Sequence, residues 1–284
     1  MLNKNVETFI ACDKSYEEAE IVLWGAPFDS TTSFRPGARF GSAAIRHESF
    51  GIETYSPYLD KDLDEDTKVF DAGDLELVFG DSPQVLAQVA EMTKTIVADG
   101  KIPFMIGGEH SLSSAPVTVL AEKYPDLHLI HFDAHTDLRE DYLGNIWSHA
   151  SVIKRCWEKL GDGRIHSFGI RSGEKAEFYW ANEHIDLHKF NFDGLDEVIE
   201  QLKGKPVYFT LDLDVLDPSI FPGTGTPEAG GVSFEALRTA LEKLSALHIV
   251  GLDMMELAPH YDHSGASTAV AVKMVREILL GLSK

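Results

Sequence analysis

The stretch His-Leu-Ile-His-Phe-Asp-Ala-His-Thr-Asp, residues 128–137, changes character half-way along. Its first five residues read as the end of a buried β-strand, and the next five carry an ionisable group at every second position. Residues 133, 135 and 137 share parity, so a backbone that stays extended beyond the strand turns Asp133, His135 and Asp137 to one side. Ala134 and Thr136 leave the other side uncrowded. Two further segments close apolar runs in the same manner: Gly-Gly-Glu-His (107–110) and Asp-Leu-Asp (212–214). In the first, the paired glycines let the backbone turn closely before His110, and Ser111 opens the next helix. In the second, Asp212 and Asp214 repeat the two-residue spacing.

Outward from these segments, strand-like runs fall near 20–25, 68–72, 102–107, 127–132, 164–170, 184–187, 206–211 and 247–253. Amphipathic helical stretches lie between them, at 83–99, 111–123, 173–182, 193–202, 233–246 and 266–282. This is the βαβ rhythm of a parallel sheet. About eight strands fit either a doubly wound three-layer sandwich or a closed barrel, and both gather function at the carboxyl ends of strands. No repeat, linker or shift in composition divides the chain, so one domain over residues 1–284 is expected. The acidic run at 60–66 reads as a solvated loop.

Composition narrows the function. A net charge of −21, from 25 Lys+Arg against 46 Asp+Glu, argues against a nucleic-acid partner and favours a cationic small substrate. No apolar run is long enough to span a bilayer, so no membrane role is expected. Two cysteines and an amino terminus without an apolar leader point to a cytoplasmic protein with reduced thiols.

Four carboxylates (Asp133, Asp137, Asp212, Asp214) and two imidazoles (His110, His135) exceed the needs of one zinc ion and suit two hard or borderline divalent ions. Gathering such groups without a metal would cost several kcal/mol in repulsion and desolvation. His131 shares their parity but lies deeper in its strand, where support of a ligand is expected. Asp253 has the opposite direction to Glu256 along its strand and is assigned a supporting or structural role.

Gly-Gly-Glu-His-Ser (107–111), Asp-Ala-His-Thr-Asp (133–137), Asp-Leu-Asp-Val-Leu-Asp-Pro (212–218) and Pro-Gly-Thr-Gly-Thr-Pro-Glu (222–228) resemble the arginase/agmatinase superfamily of ureohydrolases. The likeness runs from Phe-Arg-Pro-Gly-Ala-Arg-Phe-Gly (34–41) to the region of Glu256. It implies a three-layer α/β/α sandwich with a mostly parallel, about eight-stranded sheet, and so decides against the barrel. It also implies two Mn2+ ions per subunit: His110, Asp133, Asp137 and Asp212 on one, and Asp133, His135, Asp212 and Asp214 on the other.

The implied reaction is attack of a metal-bridging hydroxide on a guanidino carbon. Asp137 would orient that nucleophile, Glu256 would face the guanidinium, His149 in Trp-Ser-His-Ala-Ser (147–151) would shuttle the proton, and Thr226 would contact substrate. The stretch 138–147 lacks the polar pattern with which arginases hold an amino-acid end, and Glu140 and Asp141 are expected near the mouth for a far-end ammonium. Agmatine, hydrolysed to putrescine and urea in polyamine biosynthesis, is therefore the expected substrate. Guanidinobutyrate, kept open by Arg139, arginine and guanidine are the alternatives. A one-zinc deacetylase of the same fold and an inactive regulatory relative are the competing classes. Trimers or hexamers are the implied homo-oligomers.

Overall fold

A computed structural model describes residues 7–283. The strands, in chain order, are β1 (Ile21–Ala26), β2 (Tyr55–Ser56), β3 (Lys61–Asp62), β4 (Val69–Asp74), β5 (Ile102–Gly107), β6 (His128–Phe132), β7 (Ile165–Ile170), β8 (Asp186–Lys189), β9 (Pro206–Asp212) and β10 (His248–Met255). Eight of them form one sheet in the order β4-β1-β5-β10-β9-β6-β7-β8, and every neighbouring pair is parallel. The sheet is open, running from β4 to β8, which excludes the barrel. Strands β2 and β3 form a small antiparallel hairpin.

The helices are α1 (Gly41–Ser49), α2 (Leu63–Asp66), α3 (Ser82–Ala98), α4 (Ser114–Lys123), α5 (Val152–Leu160), α6 (Lys175–His184), α7 (Leu195–Gln201), α8 (Phe234–Leu244) and α9 (Ala266–Leu282). Helices α3, α4 and α5 pack side by side in one layer, and α1, α9, α8 and α7 in the other. Strand alternation feeds both layers. In β1, Ile21 and Leu23 join the core beneath the second layer, whereas Val22 and Trp24 point to the first. In β9, Phe209 and Leu211 face one way and Tyr208 the other. Such two-sided burial explains why the parallel strands read as continuous apolar runs.

All eight expected strands and all six expected helical stretches are present, with ends moved by a few residues. One shift matters for the site: the helix expected from Ser111 begins at Ser114, after a 3-10 turn over His110–Ser113. Helices α1 and α5 were not among the expected stretches. The run 60–66 is not a plain solvated loop. Lys61 and Asp62 pair with the strand before them, and Asp62 caps α2 by accepting from the Asp64 amide at 3.0 Å. Leu63 is fully buried and anchors this acidic turn. One apolar residue thus outweighs the solvation of its neighbours.

The glycine pair before His110 is required by close approach. A Cβ on Gly108 would lie 1.9 Å from the Phe28 carbonyl oxygen, and one on Gly107 would lie 2.2 Å from Met255 Sδ. The first obstruction is backbone and cannot yield. Gly108→Ala is expected to lower stability by about 2–3 kcal/mol, the usual scale of overpacking, read from the urea unfolding midpoint. An unchanged midpoint would refute the packing argument.

Candidate metal centre and substrate cleft

The candidate residues follow the carboxyl ends of β5, β10, β9 and β6, the four adjacent strands at the middle of the sheet. His110 sits in the turn after β5. Its Nδ1 lies 3.0 Å from Asp133, 3.3 Å from Asp137 and 3.4 Å from Asp212. Among the described residues this buried nitrogen has no hydrogen-bond partner, despite the three nearby oxygens. The other nitrogen, Nε2, is 2.9 Å from Thr210 Oγ1, whose hydroxyl donates to Asp253 at 2.5 Å. Tyr208 also donates to Asp253, at 2.6 Å. With its proton committed to the carboxylate, Thr210 accepts from Nε2–H, which leaves Nδ1 facing three carboxylates as the atom that takes up a proton or a metal ion. Positive charge at this nitrogen, as a proton or a metal ion, offsets the repulsion among the three carboxylates. Asp253 acts through Thr210 on the imidazole.

A second cluster adjoins the first. His135 Nδ1 is 3.0 Å from Asp214 and 3.5 Å from Asp133 Oδ1, while Asp133 Oδ2 faces His110. The two oxygens of Asp133 are thereby divided between the clusters. His131 lies in the first cluster, yet its Nε2 is 2.9 Å from Asp133 Oδ2 and its Nδ1 3.0 Å from Ser167 Oγ. Both of its nitrogens are engaged, so it fits support of Asp133 better than ligation.

The backbone reaches this geometry by a route that parity alone does not foresee. His135 bridges Ser172, continuing the strand direction, but Asp137 adopts a left-handed conformation with φ 50°. The extended path expected through 137 is therefore broken, and a turn delivers its carboxylate to His110. After β9 the chain also turns at once: Asp212 Oδ1 accepts from the Asp214 amide at 2.8 Å, capping a 3-10 turn over Leu213–Val215. Glu256, beyond β10, is likewise left-handed at φ 67°.

Electrostatics support an ion-binding reading. Burial would strip the His110 proton, yet Asp133, Asp137 and Asp212 outweigh it and hold the imidazole well above its usual range. Burial and the charge on Asp133 push Asp137 up to about 7. Burial, with Asp214 and Asp133 beside it, also raises Asp212 well above the carboxylate range. A raised carboxyl pKa means a proton is held at lower pH and must be displaced by any metal. Metal affinity is therefore expected to weaken as pH falls below about 7, by about tenfold per pH unit for each proton displaced. Metal titrations at about pH 6 and pH 8 check this; equal affinities would contradict it.

Beside the clusters a cleft of about 270 Å³ opens to solvent, lined by His135, Asp137, Asp212, His149 and Thr226 among others. Glu256 is buried and accepts from the His110 amide at 2.8 Å. Its carboxyl is raised well above the ordinary range by burial and by Glu109. His149 Nδ1 lies 3.8 Å from Glu256. Burial, then the charges of His135 and His110, lower His149 to about 4, which keeps it neutral near pH 7. Thr226 Oγ1 is 3.4 Å from Asp214. All nine candidate residues thus come together.

Residues 19–281 match the Arginase family. The chain belongs to the arginase family. Among curated relatives, an agmatinase of Bacillus anthracis is 48% identical over 98% of this chain and 97% of its own length. An agmatinase of Bacillus subtilis (strain 168) is 46% identical over the same shares. Among solved structures, agmatine ureohydrolase of Thermoplasma volcanium is 34% identical with a TM-score of 0.90, covering 98% of this chain and 94% of that one. Membership makes the chain a hydrolase of the ureohydrolase type.

Within this arginase-family cleft the rim departs from expectation. Glu140 and Asp141 do not line it. The Glu140 carboxylate is 2.7 Å from Lys154 Nζ, and Asp141 accepts from the Gly144 amide at 2.7 Å. Both face a neighbouring cavity. A lysine in the first turn of α5 draws Glu140 away, which loop composition alone does not reveal. The rim is instead built from Arg139, Tyr142, Ser33, Ser172 and Glu174. Arg139 Nη1 pairs with Glu174 at 2.7 Å and its guanidinium lies 5.1 Å over the Tyr142 ring. Ser33 and Glu174 come from segments that carry no metal ligand, so no motif marked them. Among the described residues no helix is long and apolar enough to cross a membrane.

Proposed function

We propose that this arginase-family enzyme hydrolyses the guanidino group of agmatine, releasing putrescine and urea. The observation that carries the reading is Glu256: a buried carboxyl with no lysine or arginine against it among the described residues, held beside the ligand clusters by the His110 amide and 3.8 Å from His149, which lines the cleft. A guanidinium in the cleft would supply the missing charge and present paired donors to both oxygens.

In this reading His110, Asp133, Asp137 and Asp212 would hold one divalent ion, and Asp133, His135, Asp212 and Asp214 a second; the carboxylate-rich set suits Mn2+. When bound, such a pair supplies Lewis acidity and makes a water molecule reactive near neutral pH. Asp137, at the cleft wall, would accept a hydrogen bond from a water there and orient it towards the guanidino carbon. One water and one guanidinium cation become urea and an alkylammonium, so the leaving nitrogen must gain a proton as its bond to carbon breaks. His149, neutral at pH 7 and facing the cleft, would pass its ring proton to that nitrogen while its other ring nitrogen takes one from the Ser33 hydroxyl, so that the imidazole ends as it began. Thr226 borders the guanidinium. A carboxylate-ended substrate would need Arg139, which Glu174 already neutralises, so an uncharged or ammonium far end is favoured.

The test is urea release by Mn2+-loaded protein from agmatine, arginine, 4-guanidinobutyrate and guanidine. The expected kcat/KM for agmatine exceeds each of the others by at least about a hundredfold, the scale set by leaving one charged end unmatched. A preference for any other compound overturns the substrate while leaving the reaction class standing.

A further inference from the structure

Glu109 lies next to His110 but belongs to neither cluster, and it is fully buried. Its carboxylate gathers donors from a segment 78 residues away. The Thr31 amide reaches Oε2 at 2.7 Å, and the Thr31 hydroxyl reaches Oε1 at 2.5 Å. Ser111 Oγ donates to Oε1 at 2.5 Å, and Thr32 Oγ1 lies 3.4 Å from Oε2. Thr31 then faces the other way: its Oγ1 accepts the His149 backbone N–H at 2.9 Å. Because that amide can only donate, the hydroxyl proton is directed to Glu109, and the two bonds fix each other's sense.

Two residues on, Ser33 meets the His149 ring. Its backbone N–H lies 3.2 Å from Nε2, and its Oγ 3.0 Å from the same nitrogen. An amide nitrogen has no lone pair to offer, so Nε2 must present one. A neutral imidazole in this setting carries its proton on Nδ1, the nitrogen turned towards Glu256.

We infer that Glu109 is a positioning residue: through Thr31 it holds the His149 turn and the 31–33 segment together, and the Ser33 amide thereby fixes the His149 proton on Nδ1, facing the substrate cleft. This rests on the reading of His149 as the proton carrier. An isosteric loss of the Thr31 hydroxyl loosens the ring against Ser33 and slows proton delivery without altering substrate binding.

Two measurements decide it. Neutron diffraction from crystals of the metal-loaded, deuterated protein near pH 7 should show deuterium on His149 Nδ1 and none on Nε2; deuterium on Nε2 overturns the assignment and needs no variant that must fold. Thr31→Val should lower kcat for agmatine by about ten- to a hundredfold, with KM within about twofold and metal content unchanged, while Thr31→Ser restores kcat to within about threefold. A Thr31→Val enzyme within about twofold of the parent kcat, or a loss that Thr31→Ser does not rescue, overturns the positioning role. His149→Asn separates the two levels. If it keeps the parent kcat, the proton-carrier reading itself fails, whatever the neutron map shows of the tautomer.

Discussion

Asp133→Asn is expected to reduce urea release by at least about a thousandfold and to leave the protein short of its full complement of divalent metal. The reason is the division of the side chain. Oδ2 lies 3.0 Å from His110 Nδ1 and Oδ1 3.5 Å from His135 Nδ1, so one residue serves both clusters. An amide keeps the shape but offers a lone pair on one side only. Its NH2 group would oppose a donor whichever way it turned, since the His135 amide is 2.5 Å from Oδ1 and His131 Nε2 is 2.9 Å from Oδ2. The carboxyl itself is held well below its usual range: burial opposes this, but His110, His131 and His135 prevail. Metal analysis and steady-state kinetics on the same preparation check the prediction. Full metal content with near-parental activity would sink the shared-carboxylate reading.

The second large effect is expected for Glu256→Gln: a fall in kcat/KM for agmatine of about a hundred- to a thousandfold with metal content intact. Removing one partner of a buried charge pair costs about 3–5 kcal/mol, and a buried guanidinium without a counter-charge is such a case. Glutamine can still accept from the His110 amide, now 2.8 Å from Oε1, so the turn bearing His110 should hold. The variant thus isolates charge from architecture. If activity drops only with loss of metal, Glu256 supports the clusters and does not face substrate. If kcat/KM is unaffected, the carboxylate is not part of the cleft's chemistry.

The fold was legible wherever one residue type repeated with a clear period. Strands β1, β5, β6, β9 and β10, buried on both faces, announce themselves as apolar runs. Helix α1 is hard to read from sequence because Arg46 points inward and pairs with Asp71 at 2.8 Å, which spoils its polar pattern. Helix α5 has a buried Lys154 and Arg155 and was hidden for the same reason.

The metal ligands were legible because they cluster within short motifs after strands. The backbone that presents them was not, since parity gives no warning of the left-handed turn at Asp137 or of the cap made by Asp212. The rim was the least readable part. Ser33 and Glu174 reach the cleft by tertiary folding, and Glu140 is diverted by Lys154, a partner 14 positions along that no local rule couples to it. His149 could be singled out only through the family resemblance. Its environment explains why: the contacts that distinguish it from other histidines come from Thr31 and Ser33, more than a hundred positions upstream.

Asp137 and Glu256 hold left-handed conformations, at φ 50° and 67°, that glycine adopts most readily; aspartate and asparagine tolerate them, so the strain falls mainly on Glu256. A glycine at either place would relax the main chain and delete the carboxylate together. Rigidity and turnover therefore pull these two positions in opposite directions, and searches that rank variants by melting temperature alone are expected to enrich for glycine here and to return well-folded, inert protein.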